Sequence, residues 1–180
     1  QVYPTFLFFS PEGKLVHKFV GGMSADVFIE KSAEALNPQT QYVTLKSAFS
    51  SKSTDTAYLR KMIKGASESY EDASAYFDAY TKTQQDMFSK DNISYVELLA
   101  DDPNQPGYKL IASNPEKYDA ATAPGKAEEL IVALTSNVMY RSVYSQGATE
   151  ANQEKISEIE KNNPTFANRI IHNLRVMHAS

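Results

Sequence analysis

The chain has 180 residues, of which 42% are hydrophobic, enough to form a packed core. Its formal net charge is −4, and lysine and arginine are scattered singly, so the sequence offers no basic face for a nucleic acid. No apolar run approaches the ~20 residues that span a bilayer. The chain contains no cysteine, which excludes disulfides and thiolate metal sites.

The first residues predict a β-hairpin. Phe6 to Phe9 is a continuous apolar run, typical of a strand that is buried on both faces. The next four residues, Ser-Pro-Glu-Gly at 10–13, form a turn sequence because proline presets the second position and glycine suits the fourth. Residues 15–20 alternate as a strand does, and Gly21-Gly22 ends that strand.

A helix is predicted to follow the hairpin. Ser24 is placed to cap it, Asp26 suits its positive end, and it runs from Ala25 to about Leu36. Its buried stripe is expected to consist of Val27, Phe28, Ala33 and Leu36, with Ile29 at the flank.

The order of these features resembles the second half of a thioredoxin domain: X-Pro-Thr, apolar strand, glycine-containing turn, strand, Gly-Gly and amphipathic helix. The resemblance covers residues 2–36. It implies that the Tyr3–Pro4 peptide bond is cis and that this segment binds an extended substrate peptide. The residues that would form this peptide-binding surface by resemblance are Tyr3, Pro4, Thr5, Gly21 and Gly22.

The resemblance also implies a pair of redox cysteines, Cys-x-x-Cys, before Gln1. We therefore expect a fragment of a thiol–disulfide oxidoreductase family protein that is redox-inactive as this chain. A lone Phe6–Phe9 strand would leave apolar surface in water, so the hairpin is expected either to pair with another chain or to pack on the helical region.

After Asn37-Pro38, where a helix cannot continue, no segment alternates convincingly. The predicted domains are therefore residues 1–37, the thioredoxin-like half, and residues 38–180, a helical domain. The helices are predicted at about residues 42–49, 55–67, 70–89, 94–99, 115–122, 126–144, 150–161 and 165–178, with a linker at 50–54 and Gly147 closing the longest helix. Residues 107–114 are compatible with a strand or a helix, and the spacing of Tyr108, Ile111 and Ala112 favours a helix. The helix at 55–67 is expected to bury a stripe of Leu59, Met62, Ile63 and Ala66, the helix at 126–144 to turn Val138 inward, and Tyr70 to lie in a seam between helices.

The fold class is thus α+β and mainly α: a truncated thioredoxin-like hairpin plus helix, followed by a helical bundle or a helical-repeat-like domain. Residues 55–85 and 91–121 both indicate helix, turn, helix about 36 residues apart, as in helical repeats. Their sequences are dissimilar, which favours an irregular bundle.

Few residues besides those of the peptide-binding surface point to chemistry. His17 is either a proton donor near the peptide groove or a histidine without a chemical role, on the surface of the strand or in a packing seam. His172 and His178 are six apart, which does not match the metal-binding i,i+4 spacing. The Asp101-Asp102 turn fails the calcium-loop pattern because positions six and twelve are Pro106 and Ala112. We expect no metal and no cofactor.

Two functions remain open from the sequence. The first is the thioredoxin-like fragment, acting on a protein or peptide substrate. The second is a helical protein-interaction scaffold with a non-catalytic thioredoxin-like cap. The eleven tyrosines either line a peptide groove or fill the edges of the core. A periplasmic or exported bacterial protein fits this sequence style, and the compartment stays open.

Overall fold

The computed structural model describes residues 3–145 and 149–179, so Val2 and Gly147 of the sequence predictions lie outside the described residues. The chain divides into two compact units, Gln1–Met87 and Phe88–Ser180. The predicted boundary at residue 37 falls inside the first unit, and the domain division proposed from the sequence stays a prediction. As predicted, the fold class is α+β and mainly α.

The predicted hairpin is confirmed. Strand β1, Thr5–Phe9, pairs antiparallel with β2, Leu15–Val20, and the register has an irregularity between Phe8 and Phe9. The turn closes through main-chain hydrogen bonds: the Gly13 N–H donates to the Ser10 carbonyl at 2.9 Å, and the Ser10 N–H donates to the Lys14 carbonyl at 2.8 Å. Gly13 has a φ of +79°, which explains why the turn uses glycine.

Strand β1 is not buried on both faces as expected. Phe6 and Phe8 are half-buried and lie 5.0 Å and 5.4 Å from the Phe19 ring, measured between ring centroids. Leu7 and Phe9 are 49% and 58% exposed on the opposite face. The strand therefore has one packed face and one open face.

Helix α1 spans Ala25–Glu34, and the predicted cap is present because Ser24 Oγ accepts from the Val27 N–H at 3.5 Å. The predicted buried stripe is wrong. Phe28 is half-buried against Phe6 and Phe19. The other members of the stripe are exposed, as is Ile29 at its flank, because none of the described residues covers that side of the helix: Val27, Ala33 and Leu36.

After α1, the described part of the first unit contains four further helices: α2 Tyr42–Lys46, α3 Phe49–Lys52, α4 Thr56–Glu68 and α5 Ser74–Thr81. The predicted stripe of α4 is confirmed, since Leu59, Met62, Ile63 and Ala66 are fully buried. Strand β2 packs against α2 and α4, so the hairpin packs on helices, the second of the two arrangements expected. Pairing with another chain stays a prediction.

Two boundaries in this unit differ from the prediction. The expected linker at 50–54 is largely the short helix α3. The expected helix at 70–89 is only Ser74–Thr81, because Tyr70 takes a left-handed φ of +52° just after α4 and is 69% exposed rather than in a helix seam.

The second unit is entirely helical in its described residues: α6 Ile93–Leu98, α7 Pro106–Ser113, α8 Pro115–Ala121, α9 Lys126–Val143, α10 Gln153–Asn162 and α11 Ala167–Ala179. One core cluster joins α9, α10 and α11 through Val143, Ile159, Ile170, Ile171 and Leu174. On α9 the predicted inward residue Val138 is 49% exposed, and Thr135 and Ser136 are buried instead.

The two windows compared as repeats are not alike. Residues 55–85 contain the two helices α4 and α5, whereas residues 91–121 contain the three helices α6, α7 and α8. An irregular arrangement of helices therefore describes the chain better than a repeat. Among the described residues, no helix has both the length and the apolar character needed to cross a membrane.

Candidate functional site

The five residues assigned to peptide binding come together at one end of the hairpin. The Gly21 N–H donates to the Pro4 carbonyl at 2.9 Å, and Thr5 pairs with Val20 in the strand register. The Tyr3–Pro4 peptide bond is cis, as the resemblance implied. Two chain segments that are 16 residues apart thus form one continuous surface, residues 3–5 and residues 21–22.

This surface, which we call the hairpin end, is open to solvent. Tyr3 is 75% exposed, Pro4, Thr5 and Gly22 are exposed, and Gly21 is half-buried. Gly21 has a φ of +110°, a conformation that residues with a Cβ rarely adopt. An aromatic side chain beside exposed main chain suits the recognition of an extended polypeptide.

A second feature lies further along β2. His17 is only 2% exposed and lines a cavity of about 210 Å³ in the first unit. The cavity is also lined by charged side chains from α1 and α4: Glu34, Lys61, Lys64 and Glu68. His17 is therefore the seam histidine of the two alternatives, at a position where its ring meets charged groups.

The hydrogen bonds of His17 define its neutral tautomer. Its Nδ1 accepts from the main-chain N–H of Tyr42 at 3.0 Å, so Nδ1 carries no proton. In the neutral ring the proton then lies on Nε2. This atom has no hydrogen-bond partner among the described residues, and it lies 3.9 Å from Glu34 Oε2.

The surroundings of His17 favour the neutral ring. Burial lowers the pKa of His17 below its ordinary value of 6.5, and the carboxylates of Glu34 and Glu68 oppose that shift only in part. Those carboxylates are themselves paired with ammonium groups. Lys64 lies 3.1 Å from Glu34, and Lys31 lies 2.5 Å from Glu68.

The same tautomer argues against a metal at His17. Nε2 needs a free lone pair to bind a cation, and here it carries the proton because Nδ1 is engaged by Tyr42. Across residues 3–145 and 149–179, no group of three or more histidine and carboxylate side chains is arranged to hold a metal ion.

Of the other two histidines that the sequence singled out, one packs on a tyrosine ring and one lies at the surface. His178 stacks on Tyr144 at 3.9 Å between ring centroids, and His172 is exposed. In the acidic turn, the Asn104 N–H donates to Asp102 Oδ1 at 2.7 Å. Most tyrosines fill the core, as the second interpretation held: Tyr42, Tyr58, Tyr76, Tyr80, Tyr108, Tyr118 and Tyr144 are buried.

The sequence predicts the residues of the hairpin end, whose role stays a prediction, and gives no sign of the partners of His17. Tyr42 lies 25 residues from His17 in the chain, and Glu34 and Lys64 have no local pattern that marks them. Comparison with known proteins adds no further assignment, because no family model, no curated protein and no solved structure matches this chain.

Proposed function

We propose that residues 3–36 are the peptide-binding half of a thioredoxin-like domain, from a protein of the thiol–disulfide oxidoreductase family. The hairpin end binds an extended protein or peptide through residues 3–5 and 21–22. The 180 residues contain no cysteine, so the role proposed for this chain is binding and not thiol chemistry.

One observation carries this proposal: the hydrogen bond between the Gly21 N–H and the Pro4 carbonyl joins two exposed segments into a single surface. Family resemblance assigned the same residues from sequence order alone. The exposed ring of Tyr3 adds a large amphipathic contact beside the main chain.

The proposal is tested by titrating the chain with a permanently unfolded polypeptide, reduced and carboxymethylated α-lactalbumin labelled with a fluorophore. We expect saturable binding that Tyr3→Ala weakens about tenfold, since truncating an aromatic anchor costs more than about 1 kcal/mol. Tyr70→Ala is the matched control, because Tyr70 is exposed to a similar extent, 69% against 75%. If the chain does not bind the polypeptide, or if both variants lose the same affinity, peptide binding at the hairpin end is contradicted.

A second candidate function, a protein-interaction scaffold, is favoured by an open groove within the second unit. The groove has a volume of about 450 Å³, and its lining includes the apolar residues Ala100, Leu130, Ala133 and Leu134. Glu97 and Lys126 also line it, so it combines apolar and charged side chains, as grooves for amphipathic helices do.

This scaffold role predicts that peptides selected from a phage-displayed random library bind the groove. Ala133→Glu places a charge among the apolar residues that line the groove and should abolish the binding of these peptides. Asn137→Glu is the matched control because Asn137 is exposed on the same helix and is not among the groove residues. Selected peptides that bind the Ala133→Glu variant normally would argue against the scaffold role.

A further inference from the structure

Helix α2 has an unusual partner at its first residue. The main-chain N–H of Tyr42 has no acceptor within the helix, as is general for the first turn. The preceding residue, Gln41, makes no capping hydrogen bond to it with its side chain. His17 Nδ1 accepts this N–H instead, and both residues are 2% exposed, so the bond is sheltered from water. A histidine of the hairpin thus provides the hydrogen-bond acceptor for the first N–H of a helix 25 residues away.

Protonation of His17 would remove this bond. The imidazolium ring carries hydrogen on both nitrogens, so Nδ1 becomes a donor and faces another donor, the Tyr42 N–H. A buried N–H without a partner costs free energy comparable to a lost hydrogen bond. The ring and the start of α2 therefore have to separate.

Each element packed around the ring contributes groups that bear on this step. From α1, Glu34 favours the imidazolium and Lys31 opposes it; from α4, Glu68 favours it and Lys64 opposes it. Helix α2 presents the Tyr42 N–H, and β1 presents the uncharged ring of Phe8 at 5.9 Å between centroids. The proton on Nε2 faces Glu34 Oε2 at 3.9 Å, which gives the charged ring an attraction directed away from Tyr42.

A separate set of bonds keeps the hairpin attached. Glu71 accepts from Lys18 of β2 at 3.4 Å and from the Tyr42 hydroxyl at 3.0 Å, and Ser69 Oγ donates to the Lys18 carbonyl at 2.9 Å. Burial raises the pKa of Glu71, but hydrogen bonds from Lys46 and Tyr42 outweigh this effect and leave it lowered. Glu71 therefore stays charged while His17 takes up its proton.

We propose that His17 is a pH-operated latch between β2 and α2. The neutral ring holds the start of α2 against the hairpin. The protonated ring releases it, while the Glu71 bonds keep the unit folded. This inference does not depend on the proposed peptide binding, because it concerns the internal attachment of the hairpin.

Amide hydrogen exchange of the whole chain, measured by NMR with the His17 ring resonances followed in the same samples, tests the latch. As the pH is lowered until the His17 ring resonances show that the ring has become protonated, protection of the Tyr42 amide, corrected for the intrinsic rate, should fall about tenfold. The buried amide of Ile63 in α4 is the internal control and should keep its protection.

Two variants separate the latch from a merely structural role. In His17→Asn the side-chain Oδ1 replaces Nδ1 as an acceptor that does not titrate, so Tyr42 protection should become independent of pH. In His17→Phe the acceptor is lost, so protection should be low at both ends of the range. The latch is overturned if Tyr42 protection does not change while the wild-type ring titrates. It is also overturned if the ring stays neutral until the unit unfolds.

Discussion

Substitution of Gly65 by alanine is the sharpest test of the packing in the first unit. It lies inside α4, where replacing glycine by alanine ordinarily gains about 1 kcal/mol of helix propensity. Here a Cβ would lie 2.8 Å from Cγ of the Tyr42 ring and closer still to Cδ2. Tyr42 cannot swing aside without cost, because its N–H is bound to His17 and its hydroxyl to Glu71. Overpacking costs about 1–3 kcal/mol and outweighs the propensity gain.

We therefore expect Gly65→Ala to lower the free energy of unfolding by about 1–2 kcal/mol. Gly107→Ala should lower the free energy of unfolding further, by about 3 kcal/mol or more, because its Cβ would meet main-chain atoms, which cannot rotate away as a side chain can. Its Cβ would lie 2.5 Å from the Leu99 carbonyl oxygen and closer still to that of Val96. Gly22→Ala is the control, since a Cβ there meets no atom within 4 Å.

The assay is urea unfolding followed by two-dimensional amide spectra, so that each compact unit is measured by its own resonances. Gly65→Ala should lower the urea midpoint of the first unit, and Gly107→Ala that of the second. The control should leave both midpoints unchanged or slightly raised. A Gly65→Ala chain as stable as the wild type would refute the close packing of Tyr42 on α4.

Three further predictions concern stability. Because burial lowers the pKa of His17 below 6.5, the unfolded chain binds a proton at this residue more readily than the folded chain does. The contribution of neutral His17 to the free energy of unfolding is therefore fully present above pH 6.5 and is lost as the pH falls through the pKa of the folded state. Urea midpoints measured against pH should show this loss, and His17→Asn should reduce it. Glu71→Gln should lower the free energy of unfolding by about 1–2 kcal/mol, because the Glu71 carboxylate accepts hydrogen bonds from two lysines and a tyrosine. Glu129→Gln is the control and should cost under about 0.5 kcal/mol, because Glu129 forms only an exposed ion pair with Lys126. Equal urea midpoints for these two variants would contradict the stabilising role of the Glu71 hydrogen bonds. Tyr108→Phe should cost about 1–2 kcal/mol by stranding buried Thr135, 2.6 Å away, and the double variant with Thr135→Val should cost less than the sum of the two single changes.

Local patterns in the sequence were sufficient for the hairpin and for α4. The turn at residues 10–13 has the residues that its geometry requires, and the stripe of Leu59, Met62, Ile63 and Ala66 repeats with the period of a helix. Both features depend on neighbours in the chain, and both were predicted correctly.

The errors arose where burial depends on distant elements. Leu36 lies at helical spacing yet is 84% exposed, because no element among the described residues covers that side of α1. Tyr70 lies in a helix-compatible stretch, but its left-handed φ separates α4 from α5. The hydrogen bond from Tyr42 to His17 joins a helix to a strand that the sequence assigned to different domains, so no local signal could reveal it.

The central claim is that the hairpin end binds an extended polypeptide, and amide chemical-shift mapping tests it most directly. The uniformly ¹⁵N-labelled chain is titrated with unlabelled carboxymethylated α-lactalbumin. The account predicts that the largest shifts fall on the amides of Thr5, Gly21 and Gly22, which adjoin Pro4 in the structure. Shifts that are absent from these amides and concentrated on the helices of the second unit would contradict it.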